Sequence, residues 1–176
     1  MDKKQLMNDL KQIVLKEVPN AVKKITLENE DKVCYISLLG TDDEPVLGLI
    51  QLGIESYRNE IINEVGIDDK WTIWNSGEMP VDYQTVIDEN HPEFREKQEL
   101  LVKAFGDDWE DLWEDCQTLR FELAQELNQY NWSEILPITE DFVVYSDWEA
   151  IDVTNGDLER SIPIEKLNII KDKQLI

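Results

Sequence analysis

The chain is short of almost everything that catalysis draws on. It has one histidine, His91. A catalytic triad or a histidine-based zinc site needs more than that, or a suitable cysteine beside it. Followed by Pro92 at a helix start, His91 reads as a partly exposed boundary residue. The two cysteines, Cys34 and Cys116, stand far apart and in neither a CxxC nor a zinc-type spacing. They read as small buried thiols. There is no P-loop, no GxGxxG and no GxSxG. The acid-rich stretch from Asp147 to Glu159 fails as a calcium loop: Asp152 is followed by Thr154 and Gly156, with the glycine one place early and no acid at the fifth position. Paired carboxylates for glycoside chemistry cannot be argued, because among 39 acids any pair can be chosen. No metal and no cofactor is expected, and a binding role is expected over an enzymatic one.

Positive charge is also scarce. There are 17 Lys and Arg against 39 Asp and Glu, for a formal net charge of −22 at pH 7. Such a surface repels phosphate backbones and anionic membrane and attracts cationic surfaces. No apolar run approaches the roughly 20 residues that a membrane span needs. No apolar h-region follows Met-Asp-Lys-Lys-Gln-Leu. A cytoplasmic protein that binds neither nucleic acid nor membrane is the expectation. The few cations are clustered: Lys3, Lys4, Lys11, Lys16, Lys23 and Lys24 crowd the first segment, and Lys166, Lys171 and Lys173 the last.

What is present is enough for a core. Hydrophobic residues make up 41%, with 6 Trp, 5 Tyr and 4 Phe, whereas disordered acidic tails lack aromatics. A chain of 176 residues suits one domain, residues 1–176. Folding at this size buries roughly 70% of the surface of the unfolded chain.

Hydrophobic spacing gives the order of elements. Leu6, Leu10, Ile13 and Val14 predict an amphipathic helix over 3–18, stopped by Pro19. Three β-rich runs follow, 22–27, 33–39 and 46–52, with polar turns between them, which predicts an antiparallel meander. Their nearly continuous apolar character implies cover on part of both faces. Residues 55–65 suit a short helix and Trp71 to Trp74 a strand or loop, with a helical turn near Tyr83 to Asp88. Asn90-His91-Pro92 opens a helix that Gly106 closes. A second helix capped by Asp107 or Asp108 runs to about Tyr130, its apolar stripe starting at Trp109, Leu112, Trp113 and Cys116. Residues 142–146 predict a strand, extended or paired by 147–152. Asn155-Gly156 signals a turn and Pro163 opens a last helix. The fold class expected is α+β: an antiparallel sheet of about four to six strands with helices packed on it.

The densest feature is Asp107-Asp108-Trp109-Glu110-Asp111-Leu112-Trp113-Glu114-Asp115. Acids in a first helical turn suit the dipole and the orphan N–H groups, at about 0.3–1 kcal/mol each. That leaves Glu114, Asp115 and Glu122 on the outer face unexplained. Asp107, Asp108, Glu110, Asp111, Glu114, Asp115 and Glu122 are therefore the candidate docking face for a basic protein partner. Such faces raise on-rates and select partners. Trp71 and Trp74 are candidate anchors, since tryptophan dominates binding hot spots. The alternative reading is a small-ligand-binding or enzymatic domain with a pocket beside the same two tryptophans.

Three segments carry a resemblance: Val33-Cys34-Tyr35-Ile36-Ser37-Leu38-Leu39, Trp71-Thr72-Ile73-Trp74-Asn75 and Phe142-Val143-Val144-Tyr145-Ser146-Asp147. In this order the chain resembles a bacterial family of unknown function that is associated with immunity proteins of polymorphic toxin systems. SUKH-like immunity folds look similar at this level. The resemblance implies a small cytoplasmic protein that binds and blocks one toxin domain, often a nuclease; the acidic charge, taken separately, points to a basic toxin or nuclease domain that it would bind and neutralise. The resemblance implies no catalytic residue.

Overall fold

The computed structural model of the chain describes residues 2–28, 30–87, 91–147 and 156–176. The Asn90 cap, the 148–152 extension and Asn155 of the expected turn lie outside them. The elements run α1 (Lys3–Val22), β1 (Val33–Leu39), β2 (Leu49–Ile54), α2 (Glu55–Val65), α3 (Lys70–Trp74), β3 (Gln84–Thr85), α4 (Pro92–Phe105), α5 (Trp109–Leu127), β4 (Ile138–Asp147), α6 (Asp157–Ser161) and α7 (Ile164–Asp172). One sheet, ordered β3-β2-β1-β4, carries helices on both faces. This is an α+β architecture.

Strand direction differs from the expected meander. β1 pairs antiparallel with β2, and β2 with β3, but β1 and β4 are parallel. A parallel pair needs a long crossover. Here α2 to α5 supply it, and local spacing carries no trace of that pairing. The 22–27 run is not a strand. Val22 completes an apolar ridge at every fourth residue of α1, with Leu6, Leu10, Val14 and Val18. Ile25 and Leu27 then pack on the core from an irregular segment. Pro19 does not stop α1 either. It is buried in the last turn, and its carbonyl accepts the Lys23 N–H at 3.3 Å. Burial of Val18, Ala21 and Val22 around it offsets the lost backbone bond.

The side chains of β1 and β4 alternate between two cores. Ile36, Leu38, Phe142 and Val144 face α1, α4 and α5. Tyr35, Val143 and Tyr145 face Trp74, Leu167 and Ile170. A bulge keeps this consistent: Val33 pairs with Ile54 and Tyr35 with Gly53, leaving Cys34 as the extra residue. The Tyr35 ring lies over Gly53, where any Cβ would overlap it. Both thiols are free and buried, and burial pushes each up to about 12. Neither supplies a thiolate at neutral pH.

Two buried polar devices tie the layers. Opposite Val33 and Tyr35, β4 is irregular between Ile138 and Val143, and this stretch carries Asp141 into the interior. Arg58 of α2 meets it, with Nη1 2.7 Å from Oδ2, and Lys173 Nζ donates to Oδ1 at 2.8 Å. Burial alone raises the Asp141 carboxyl, but the Arg58 and Lys173 cations outweigh it and hold it below the ordinary carboxylate value.

Asn128 closes the outer edge of β4. Its Oδ1 accepts the Val144 N–H at 2.9 Å, and its Nδ2 donates to the Val144 carbonyl at 2.7 Å, as a neighbouring strand would. Ser161 Oγ accepts the Ser146 N–H at 3.0 Å. Edges left open invite strand pairing, and this one is covered. Asn128→Leu leaves both Val144 groups without these partners and should cost about 1–3 kcal/mol. Urea unfolding would read this as a lower midpoint at unchanged slope. An unmoved midpoint would remove the edge role.

Candidate docking surface

α4 ends where Gly106 takes φ +64 and donates its N–H to the Val102 carbonyl. Side chains other than glycine are strained there. Asp107 and Asp108 follow, both exposed, and α5 starts at Trp109. Asp108 is the N-cap residue, but its side chain makes no capping bond. The acids of this turn are therefore not consumed by capping as the sequence suggested. They retain only the favourable field of the helix N-terminus. Inward, α5 buries Leu112, Cys116, Leu119, Leu123 and Leu127. Outward it exposes Glu110, Asp111, Glu114, Asp115 and Glu122.

The first segment's lysines explain part of that outer face. α1 packs against α5, and Lys11 bridges Glu122 and Glu126 at 2.8 Å each. Asp115 lines the same inter-helix groove as Lys3, Lys4 and Lys11. Lys3 Nζ sits 3.8 Å from the Phe105 ring centre. The α1 flank is thus locally neutralised. Asp107, Asp108, Glu110, Asp111 and Glu114 form no salt bridge among the described residues. Glu122 leaves the candidate face as a spent charge, and Asp115 sits at its border.

The tryptophans fall differently from the sequence reading. Residues 70–74 form a short helix instead of a strand or loop. Asp69 caps it, its Oδ1 accepting the Thr72 N–H. Trp71 is 51% exposed, but Trp74 is only 1% exposed and donates Nε1–H to the Leu175 carbonyl at 2.8 Å. Trp74 is a core residue and cannot anchor a partner. α3 belongs to the core on the opposite sheet face from α5, so Trp71 and the acidic run do not share one surface. Trp109 reverses in the other sense. The helical stripe places it in the core, yet it is 45% exposed, and Trp113 beside it is only half-buried. Tyr130, the expected end of the stripe, is also exposed and lies beyond the helix, which ends at Leu127.

Trp109 lines a surface groove of about 300 Å³ with Val102 and Glu99 of α4 and with Asp42 and Asp43 of the β1–β2 connection. Sequence gave no sign of this meeting, because turn acids look alike wherever they fold. Buried polar residues enforce it. Gln98 of α4 accepts the Val46 and Leu47 N–H groups and donates to the Leu47 carbonyl. Arg120 of α5 is fully buried and donates to the Pro45 carbonyl and to Ser146 Oγ. Burial lowers its guanidinium to about 10, which still leaves it charged at neutral pH. The tip itself is a tight turn, in which Thr41 and Glu44 exchange backbone bonds at 3.1 and 3.2 Å.

Among the described residues, no group of three or more His, Cys, Asp or Glu could hold a metal ion, and no helix is long and apolar enough to cross a membrane. No family model, curated protein or solved structure matches the chain.

Proposed function

We propose that the chain is an acidic cytoplasmic binding protein of the immunity type, which docks on a cationic toxin or nuclease domain and blocks it. The observation that supports this most is the exposed, unbridged run Asp107, Asp108, Glu110, Asp111 and Glu114 beside the half-exposed Trp109. Nuclease active sites are basic because they hold phosphate, so an acidic blocker complements them. The resemblance of the three segments above to immunity-associated families points the same way. The alternative reading, a ligand or catalytic pocket beside Trp71 and Trp74, needs both indoles at one cavity wall, and Trp74 is sealed against Leu175.

Immunity genes of this type sit beside the gene of the toxin they neutralise. The proposal expects the neighbouring gene to encode a secreted protein with a C-terminal toxin domain, and co-expression of this chain should restore growth to cells that such a domain alone kills. Rescue should weaken when Glu110, Asp111 and Glu114 become lysine. A neighbouring domain that is toxic and is not relieved by this chain would end the immunity reading.

A further inference from the structure

We propose that the groove between the 41–45 turn and the α4–α5 junction is an arginine-reading subsite, in which Trp109 stacks on a guanidinium of the cationic partner while Asp42 and Asp43 hold it from the side. This rests on the docking reading above and names the residue type that the surface selects. Three observations converge on it.

The first is the tryptophan. An indole at an apolar stripe position would ordinarily be buried, and this one is left 45% exposed along a groove wall. A tryptophan face is the best aromatic partner for a cation, and arginine occupies that place more often than lysine. The second is charge. Asp42 and Asp43 are exposed and form no salt bridge among the described residues. The groove's own cations are paired within it: Arg95 Nε is 4.0 Å from Glu44 and Lys103 Nζ is 3.9 Å from Glu99, and with Asp42 and Asp43 the lining carries four acids against two cations. Both are largely exposed, at 61% and 72%, so they can swing out of an incoming side chain's way. The third is preorganisation. Gln98 and Arg120 fasten the 45–47 strand entry to α4 and α5, so the carboxylates and the indole keep their spacing before any partner arrives. A volume of about 300 Å³ suits a side chain better than a whole helix or strand. A planar guanidinium can stack and at once donate along its edge to a carboxylate, which a lysine ammonium cannot.

The test uses the full chain and two acetylated, amidated pentapeptides, Gly-Arg-Gly-Arg-Gly and its lysine counterpart, with binding measured by calorimetry at low ionic strength. The arginine peptide should bind about 5-fold more tightly than the lysine peptide. Trp109→Ala should remove most of that preference, and Trp109→Phe should keep part of it. Asp42→Asn with Asp43→Asn should weaken both peptides. These side chains are exposed, so the variants should fold, and circular dichroism checks that. A third variant, Glu110→Gln with Asp111→Asn and Glu114→Gln, separates the two readings. If only this variant weakens binding, the groove is not the reader, while the docking face stands. If none of the variants weakens binding, both readings fall.

Discussion

Lysine at Glu110, Asp111 and Glu114 together should slow association with a labelled deca-arginine peptide by about 10- to 100-fold at low ionic strength. Opposed charges focus encounter from beyond contact distance, and the Debye length of about 10 Å at 0.1 M salt sets how far that reach extends. The wild-type rate should therefore fall steeply with salt and the variant's much less. A control isolates position from net charge. Lysine at Glu60, Glu64 and Asp82, all exposed, changes the formal charge by the same amount at residues outside α4 and α5. That variant should lose no more than about 3-fold, because screened charges farther than a Debye length contribute little. Lysines in the first turn of α5 also oppose the helix dipole, at about 0.3–1 kcal/mol each. The neutral Gln and Asn versions avoid most of that cost and should give an intermediate rate. Equal slowing by the two lysine triples would mean that the chain attracts cations by its total charge, with no docking face.

Arg58→Met should destabilise the fold by about 3–5 kcal/mol, the cost of leaving a buried carboxylate without its main partner. Asp141 is 2% exposed, and Lys173, 39% exposed at its side chain, replaces only part of the lost cation. Arg58→Met with Asp141→Leu should recover most of the loss, since two apolar groups of similar volume need no partner. The pH dependence gives a second reading. The folded carboxyl is held below the ordinary value, which is about 3.9 in the unfolded chain. Its contribution is therefore complete above that value and is lost as pH falls through the lower, folded one. Without Arg58, burial regains the upper hand and the folded value rises, so this acid-side loss should shrink or change sign. Denaturant titrations of both proteins at neutral and acid pH measure it. A loss under about 1 kcal/mol for Arg58→Met, with the acid limb unchanged, would mean that the ion pair is an incidental contact.

The elements legible in the sequence are those with local marks at both ends. β1 lies between polar turns and is found at Val33–Leu39, as its β-rich run predicts. α4 opens at Pro92 and is closed by Gly106, and α7 begins directly after Pro163. Proline and glycine act on their own backbone, so their effect survives any tertiary context. Pairing is another matter. The two-residue β3 and the parallel β1–β4 contact depend on partners far away in sequence, and hydrophobic spacing cannot name them.

The same limit governs the docking surface. The acid run was plain in the sequence, but which acids were already bridged was not. Lys11 on α1 claims Glu122 and Glu126, and only the packing of α1 on α5 shows it. Trp109 and Trp74 exchanged roles for a similar reason. Periodicity assigns a side of a helix, not whether anything lies beyond that side. At the first residue of α5 the stripe opens onto a surface groove, whereas the C-terminal Leu175 closes over Trp74. Arg58 and Gln98 are both buried, and no local mark in the sequence sets them apart from surface polar residues. Each is held by partners distant in the chain, Asp141 for one and the 46–47 backbone for the other.

On the proposed reading one acidic face, at the α4–α5 junction, receives cationic protein. Amide and indole chemical-shift mapping of the full chain during titration with the deca-arginine peptide tests it most directly. Shifts should concentrate at residues 107–114, at Asp42 and Asp43 and at the Trp109 indole N–H, and fade together as salt is added. Shifts spread over the exposed acids of α2, α4 and α7 in proportion to their charge would contradict it.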